Sequence, residues 1–404
     1  MKAWLIRLTL LFLGFLIPIF VLELGLNKLA PDSRAMLRKF HKLDKKVGYK
    51  GIPNAEGKWK DGEIESYVKM NSHGFRDRER SYEKGKDIFR IVVLGDSIIE
   101  APQVPLEQAF TDILERMLNS GGDKRFEVIN LGIAGFGTGQ EYLTLKHYGL
   151  NYQPDLVILA FFLFNDIRNN SLTLDSKYSG RGINDRSIPY FVINNGEIEE
   201  LSFRIGKRKI IKTFLARLFP NIYYLIGDSI RAPWLVNLFW KMGLTDSVNR
   251  FRKKDISLSY YLYAEKYTPE WENAWAVTKA LILKIAKEVE MNKIRFLVVV
   301  IPSEVEFQPD IWDKTLDEDP SMRLLEFDLK KPERILSSFL EANGIGYLLL
   351  RPGFEKYTKE NSKALHFHYV YDNHWNANGN AVAAKLVYSK LKDDKLVPIG
   401  KEDK

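Results

Sequence analysis

Apolar and polar positions along the chain recur as one unit, a short apolar run followed by an amphipathic stretch. Residues 89–94 (Phe-Arg-Ile-Val-Val-Leu) are almost wholly apolar, the pattern of a central parallel strand covered on both faces. Residues 106–119 follow with apolar side chains at 109, 110, 113, 114, 117 and 118, a helical stripe. The unit repeats as a strand over 126–131, a helix around 140–148 and a strand over 156–161. It resumes with a helix over 270–291, a strand over 295–301, a helix over 332–342 that opens on Pro332, a strand over 346–350 and a closing helix over about 376–391. Alternation of this kind predicts a three-layer α/β/α arrangement, a flavodoxin-like parallel sheet with helices on both faces.

Two stretches break the pattern. Residues 28–88 are rich in charge and turn formers, including Asn71-Ser72-His73-Gly74-Phe75-Arg76-Asp77, and read as a wrapping or edge segment. Residues 171–269 are aromatic and basic (Phe214, Phe219, Tyr223, Tyr224, Trp234, Phe239, Trp240) and read as a largely helical insertion into one domain spanning 89–392. That insertion is either a lid facing substrate or helical packing over the sheet. Residues 393–404 form a polar tail.

The amino terminus has its own pattern. Residues 8–22 carry no charge, Lys2 and Arg7 precede them, and apolar flanks extend the run towards the ~20 residues a bilayer requires. No small-x-small cleavage site follows, and Pro31 sits just beyond Leu29-Ala30. Residues 1–27 therefore read as a retained signal anchor, single-pass in the cytoplasmic membrane, with the remaining chain on its outer side. Lys28, Arg34, Arg38 and Lys39 work against that charge rule, and export after signal cleavage is the alternative.

Composition narrows the classes. With 404 residues, 45% hydrophobic and 28% charged, the chain has the balance of a globular protein with a large core. The net charge of +8 is spread over mixed clusters, which reads as solvated surface or as attraction to an anionic membrane or polysaccharide. No nucleic-acid motif accompanies it, so nucleic acid is not an expected partner. The absence of cysteine excludes disulfides, thiolate nucleophiles and thiolate-bound metals.

Candidate chemistry gathers at the predicted strand ends. Gly95-Asp96-Ser97 ends the first strand, Asn130-Leu131-Gly132-Ile133-Ala134-Gly135 the second and Phe164-Asn165-Asp166 the third, and open parallel sheets bind ligands beyond those ends. Acyl transfer requires donors for the charge that develops on the carbonyl oxygen. A glycine lets a backbone amide approach closely, and an asparagine offers a side-chain donor. Asp372-Asn373-His374 precedes the last helix; in an extended stretch residues two apart point to one side, so the carboxylate can hold the imidazole. Imidazole has the pKa to take a serine proton near neutrality. His366 and His368, with Asp372 and His374, also have spacings a metal could use, but the serine chemistry already employs two of these four residues, so neither metal nor cofactor is expected. His41, His73 and His147 receive no role.

The ordered set Gly95-Asp96-Ser97, Gly135, Asn165 and Asp372/His374 resembles the SGNH (GDSL-like) hydrolases over about residues 85–392. The resemblance implies Ser97 as nucleophile, His374 as base, Asp372 behind the histidine, and an oxyanion hole from the Ser97 amide, the Gly135 amide and the Asn165 side chain. Two positions depart from the family pattern. Phe164 stands where glycine usually precedes the asparagine, and the last block is Asp-x-His instead of Asp-x-x-His. The Asp-x-His-Trp form looks like that of the alginate O-acetylation proteins, where the block precedes the serine. The implied activity is hydrolysis of O-acyl esters of cell-envelope glycans or lipids through an acyl-enzyme. O-acyl transfer to an envelope polysaccharide and non-catalytic glycan binding are the alternatives.

Overall fold

The computed structural model describes residues 2–29, 40–61, 64–121, 125–179, 187–224, 258–361, 363–367 and 374–398. The apolar amino terminus is one helix, α1 (Lys2–Leu29). Its Trp4–Lys28 stretch is long and apolar enough to cross a membrane, and is equally compatible with a signal sequence. The wrapping segment forms two antiparallel hairpins, β1 (His41–Asp44) with β2 (Gly48–Gly51) and β3 (Glu56–Asp61) with β4 (Ile64–Lys69).

The alternating region then begins with β5 (Ile88–Leu94), α2 (Ser97–Glu100), α3 (Phe110–Leu118), β6 (Arg125–Asn130), α4 (Thr138–His147), β7 (Leu156–Phe162), α5 (Leu163–Asn170) and α6 (Leu172–Ser179). The interruption holds a hairpin, β8 (Tyr190–Asn194) with β9 (Glu197–Leu201), and helices α7 (Lys207–Leu218) and α8 (Pro220–Tyr224). The alternation resumes with α9 (Pro269–Met291), β10 (Arg295–Ile301), α10 (Pro309–Glu318), α11 (Lys331–Ala342), β11 (Tyr347–Leu349), α12 (Arg351–Asn361) and α13 (Ala377–Asp393).

Five strands pair in parallel in the order β6-β5-β7-β10-β11, so the second strand lies outside the first and the rest run off its other side. This is the flavodoxin-like order, whose direction reverses between β5 and β7 and leaves a crevice at their carboxyl ends. Alternate side chains serve two cores. Val92, Leu94, Val157 and Leu159 pack with α4, α9 and α11, while Ile91, Val93, Ile158 and Ala160 pack with α3, α12 and α13. Every residue of β7 is buried, which accounts for its unbroken apolar run.

Two elements depart from the expectation. The stripe over 106–119 opens with a 3-10 turn at Leu106–Gln108, and Ala109 is extended, so α3 begins only at Phe110. Its first N–H is satisfied from afar, by Oδ1 of Asn380 at 2.8 Å. The β8–β9 hairpin was not expected; Asn195 and Gly196 both take positive φ (50° and 83°), as a type I′ turn requires.

One buried cation ties the start of the sheet to its surroundings. Arg90 on β5 is 1% exposed and donates from Nε to Glu127 of β6 (2.6 Å), from Nη1 to the carbonyls of Tyr82 (3.1 Å) and Tyr152 (2.8 Å), and from Nη2 to that of Glu83 (3.0 Å). Arg90→Met strands Glu127 and those carbonyls and is expected to cost about 3–5 kcal/mol, read from urea unfolding in detergent; the double variant with Glu127→Met should recover part of the loss.

Candidate active site

The chain leaves β5 through Gly95 and turns at once into α2. Asp96 caps that helix, its Oδ1 accepting from the Ile98 amide at 2.9 Å, so Ser97 stands half-buried at the first helical position. The far end of α2 is held by Arg76 of the 71–77 turn, whose guanidinium donates to the carbonyls of Glu100 (3.0 Å), Ala101 (2.8 Å) and Val104. Burial pushes Arg76 down to about 10, which leaves it charged at neutral pH.

His374 comes from the loop before α13, and its Nε2 lies 2.7 Å from Oγ of Ser97. The loop is laced on both sides of the histidine. Phe367 donates to the His374 carbonyl at 3.1 Å, and the Asn376 amide donates to the Leu365 carbonyl at 3.0 Å. The Asn376 side chain caps α13 through Asn378 (2.8 Å) and Gly379 (3.1 Å) and donates back to the carbonyls of Ala364 and His366. Trp375 is buried against Phe110 and Phe354. A hydroxyl bonded to a positioned imidazole can lose its proton to that ring, which is what an oxygen nucleophile needs. Asp372 and His368 lie outside the described residues.

At the end of β6, Asn130 is fully buried, donating to the Ile99 carbonyl at 2.7 Å and accepting from the Gly132 amide at 2.9 Å. A Cβ at Gly132 would stand 2.6 Å from the Glu100 amide, so the loop can cross α2 only without a side chain there. Gly135 has φ +77°, the left-handed region that glycine occupies without strain. The residue before it is clamped through both of its backbone groups. The Ala134 amide donates to Oε2 of Glu100 (2.7 Å), and the Tyr49 hydroxyl donates to the Ala134 carbonyl (2.8 Å). In a trans peptide the carbonyl and the following N–H point opposite ways, so Tyr49 sets the direction of the Gly135 N–H. Oε1 of Glu100 is 2.7 Å from Nε2 of His41.

Asn165 lies in the first turn of α5, where β7 ends, and its Nδ2 donates to Oδ2 of Asp96 at 2.7 Å. Asn169, one turn on, donates to the Gly135 carbonyl at 3.4 Å. Phe164, in the position the family pattern gives to glycine, packs on Tyr260 and Tyr263. Ser97 and His374 are thus in direct contact, Asn165 reaches Ser97 through Asp96, and Gly135 joins through Glu100 and Asn169. Among the described residues, no backbone hydrogen bond engages the amide of Ser97 or Gly135.

Beneath these residues lie three fully buried carboxyls: Asp96, Glu141 and Asp166. Burial raises all three above the usual carboxylate range, and repulsion from the neighbouring carboxyls raises Glu141 and Asp166 further. For Asp96 the hydrogen bonds from Asn165 and Ile98 and the nearby His374 pull the other way. Asp166 accepts from the Phe162 amide at 2.8 Å, whereas neither oxygen of Glu141 has a hydrogen-bond partner among the described residues. The sequence reading missed Glu141, Glu100, Tyr49 and the place of His41. The only signal for Glu141 was a charge on the inner side of a helix otherwise lined by Tyr142, Leu143 and Leu145.

No family model and no curated protein matches the chain. Solved structures similar to it include an acetyl xylan esterase (14% identity, TM-score 0.40, covering 75% of this chain and 100% of that one). A catalytic mutant of an acetylxylan esterase from Geobacillus stearothermophilus is also similar (11% identity, TM-score 0.36, covering 75% and 94%). So is a lipase/acylhydrolase from Enterococcus faecalis (13% identity, TM-score 0.36, covering 76% and 96%). Likeness at these scores carries no argument about chemistry, which rests on the residues themselves.

A carboxyl whose pKa is raised by folding holds its proton more tightly in the folded state, so its contribution to stability is lost as pH rises above the ordinary glutamate value of 4.5. Glu141→Met removes that group at similar volume. Its unfolding free energy from urea titration should exceed the wild type's by about 1–3 kcal/mol near neutrality, with a gain that grows as pH rises from 4.5. A gain independent of pH would contradict the raised carboxyl.

Proposed function

We propose that this chain is a serine ester hydrolase of the SGNH class, and the observation that carries the reading is the 2.7 Å contact between Ser97 Oγ and His374 Nε2. His374 takes the Ser97 proton as Oγ attacks the acyl carbon, and Asp372 holds the imidazole in the productive tautomer. The amides of Ser97 and Gly135 and the Asn165 side chain receive the charge that forms on the carbonyl oxygen. Nδ2 of Asn165 has two hydrogens; Asp96 accepts one, which fixes the amide plane and leaves the other for the oxyanion. Collapse of the intermediate expels the alcohol with the proton from His374, and water then repeats the sequence on the acyl-enzyme to release the acid.

The substrate class is an O-acyl, principally acetyl, ester of a cell-envelope glycan or lipid. Support comes from α1, read as a retained anchor over residues 1–27 with Lys2 and Arg7 inside, which puts the catalytic domain (89–392) on the outer side of the cytoplasmic membrane. The segment at 28–88 wraps the site through Tyr49 and Arg76, residues 171–269 are an insertion into the catalytic domain and residues 393–404 are a tail.

Ser97→Ala and His374→Ala should each abolish turnover of an aryl acetate, Asn165→Ala should lower kcat by ~10²–10³-fold, and Asp372→Asn should be severe but leakier. Full turnover by folded Ser97→Ala overturns the mechanism. Acyl-Ser97 that accumulates until oligosaccharide is added would assign transfer in place of hydrolysis. Tyr49→Phe frees the Ala134 carbonyl and should lower kcat by up to about ten-fold with KM unchanged, since it acts on the direction of the Gly135 amide and not on substrate binding.

A further inference from the structure

We infer that α7 is an interfacial helix that lies on an anionic lipid surface and is held there by α1. Ile210, Ile211, Phe214 and Leu218 are 51%, 55%, 62% and 47% exposed. They recur at spacings of three and four, which places them on one stripe, with the buried Ala216 on the opposite side. Exposed Lys207 and Arg217 belong to the same helix and exposed Arg204 lies just before it, and no carboxylate occurs between Leu201 and Phe219. A helix with an apolar face, a basic border and no acidic residue suits the boundary between anionic headgroups and acyl chains.

What sets the occupant of this stripe is its attachment. Along α1 the large apolar side chains face outward, yet Glu23 is only 7% exposed. Its Oε1 accepts from the amide (2.9 Å) and Nδ2 (2.7 Å) of Asn221, and its Oε2 accepts from the Ile222 amide (2.9 Å). Glu23 therefore fixes the start of α8 near the carboxyl end of α1, where a spanning helix leaves the bilayer, and α8 follows α7 directly. Leu218, at the end of the apolar stripe, is thereby only three residues along the chain from Asn221, which Glu23 of α1 holds. The inference requires α1 to be retained and membrane-inserted, and it is independent of the chemistry proposed for Ser97.

The chain has no cysteine, so single cysteines can carry spin labels without background. Full-length protein in phosphatidylcholine–phosphatidylglycerol vesicles would be labelled in turn at Leu13→Cys, Ile211→Cys, Phe214→Cys and, as an exposed reference on β9, Glu199→Cys. Labels at 211 and 214 are expected to give an oxygen-to-nickel accessibility ratio several-fold above that at 199, falling when phosphatidylglycerol is omitted. A label at 214 as open to nickel as that at 199, with 13 oxygen-rich, overturns docking and leaves the anchor standing. An aqueous label at 13 removes anchor and docking together. Concentration-dependent broadening between labels at 214 would assign the stripe to a second copy of the chain, and equal shielding in detergent and vesicles to another part of the same chain; either outcome overturns the inference. Immersion unchanged in pure phosphatidylcholine overturns the requirement for anionic lipid.

Discussion

The site depends on the buried carboxyl of Asp96. It sits at the reversal of strand order between β5 and β7, and each of its oxygens has one task. One caps α2 and so presents Ser97; the other accepts the amide of Asn165 from the end of the neighbouring strand. Parallel strands deliver both ends to the same edge, and a single side chain can then set the spacing between two loops that are distant in sequence. Burial disfavours the charged form of this group, and the donors it collects are what offset that cost. An apolar residue would pack as well at that position but would leave the α2 amide and the Asn165 side chain without an acceptor.

Around this bridge, the segment ahead of the sheet is part of the site. Arg76 satisfies the carbonyls at the end of α2, while Tyr49, and Glu100 beside His41, clamp the Ala134 peptide. These residues hydrogen-bond to α2 and to the loop that carries Gly135. They fix backbone direction, and through it the aim of N–H groups that have no rotamer freedom of their own. A domain cut at residue 89 would keep Ser97, Asn165 and His374 but lose the partners that orient the Gly135 loop.

The legible parts of the sequence were those where one local signal sufficed. The strands were readable because Val, Ile and Leu runs such as that of β7 are buried on both faces. Ser97, Gly135, Asn165 and His374 stand out in the sequence because each adjoins a predicted strand end or helix start, and the contact between Ser97 and His374 joins two of them. The β8–β9 hairpin escaped because Glu197–Leu201 carries three glutamates and offers no apolar run; its one strong signal was Asn195-Gly196, whose side-chain-poor turn supplies the positive φ. The hydrogen bond of His41 with Glu100 and the repulsion between Glu141 and Asp96 join residues far apart in the chain, and neither spacing nor periodicity encodes them. Asp372 lies outside the described residues, so its part in the site rests on sequence.

The same reasoning changes how the insertion is understood. A carboxylate in an apolar helix is costly unless donors surround it, and Glu23 finds its donors on Asn221 and Ile222 of the insertion. α1 thus depends on the start of α8 to satisfy its one acid, and α8 depends on α1 to fix where it begins. Further along the same stretch, Tyr260 and Tyr263 pack on Phe164. The aromatic packing at Phe164 ties Tyr260 and Tyr263 to the α5 helix that carries Asn165, and Glu23 ties Asn221 and Ile222 to α1.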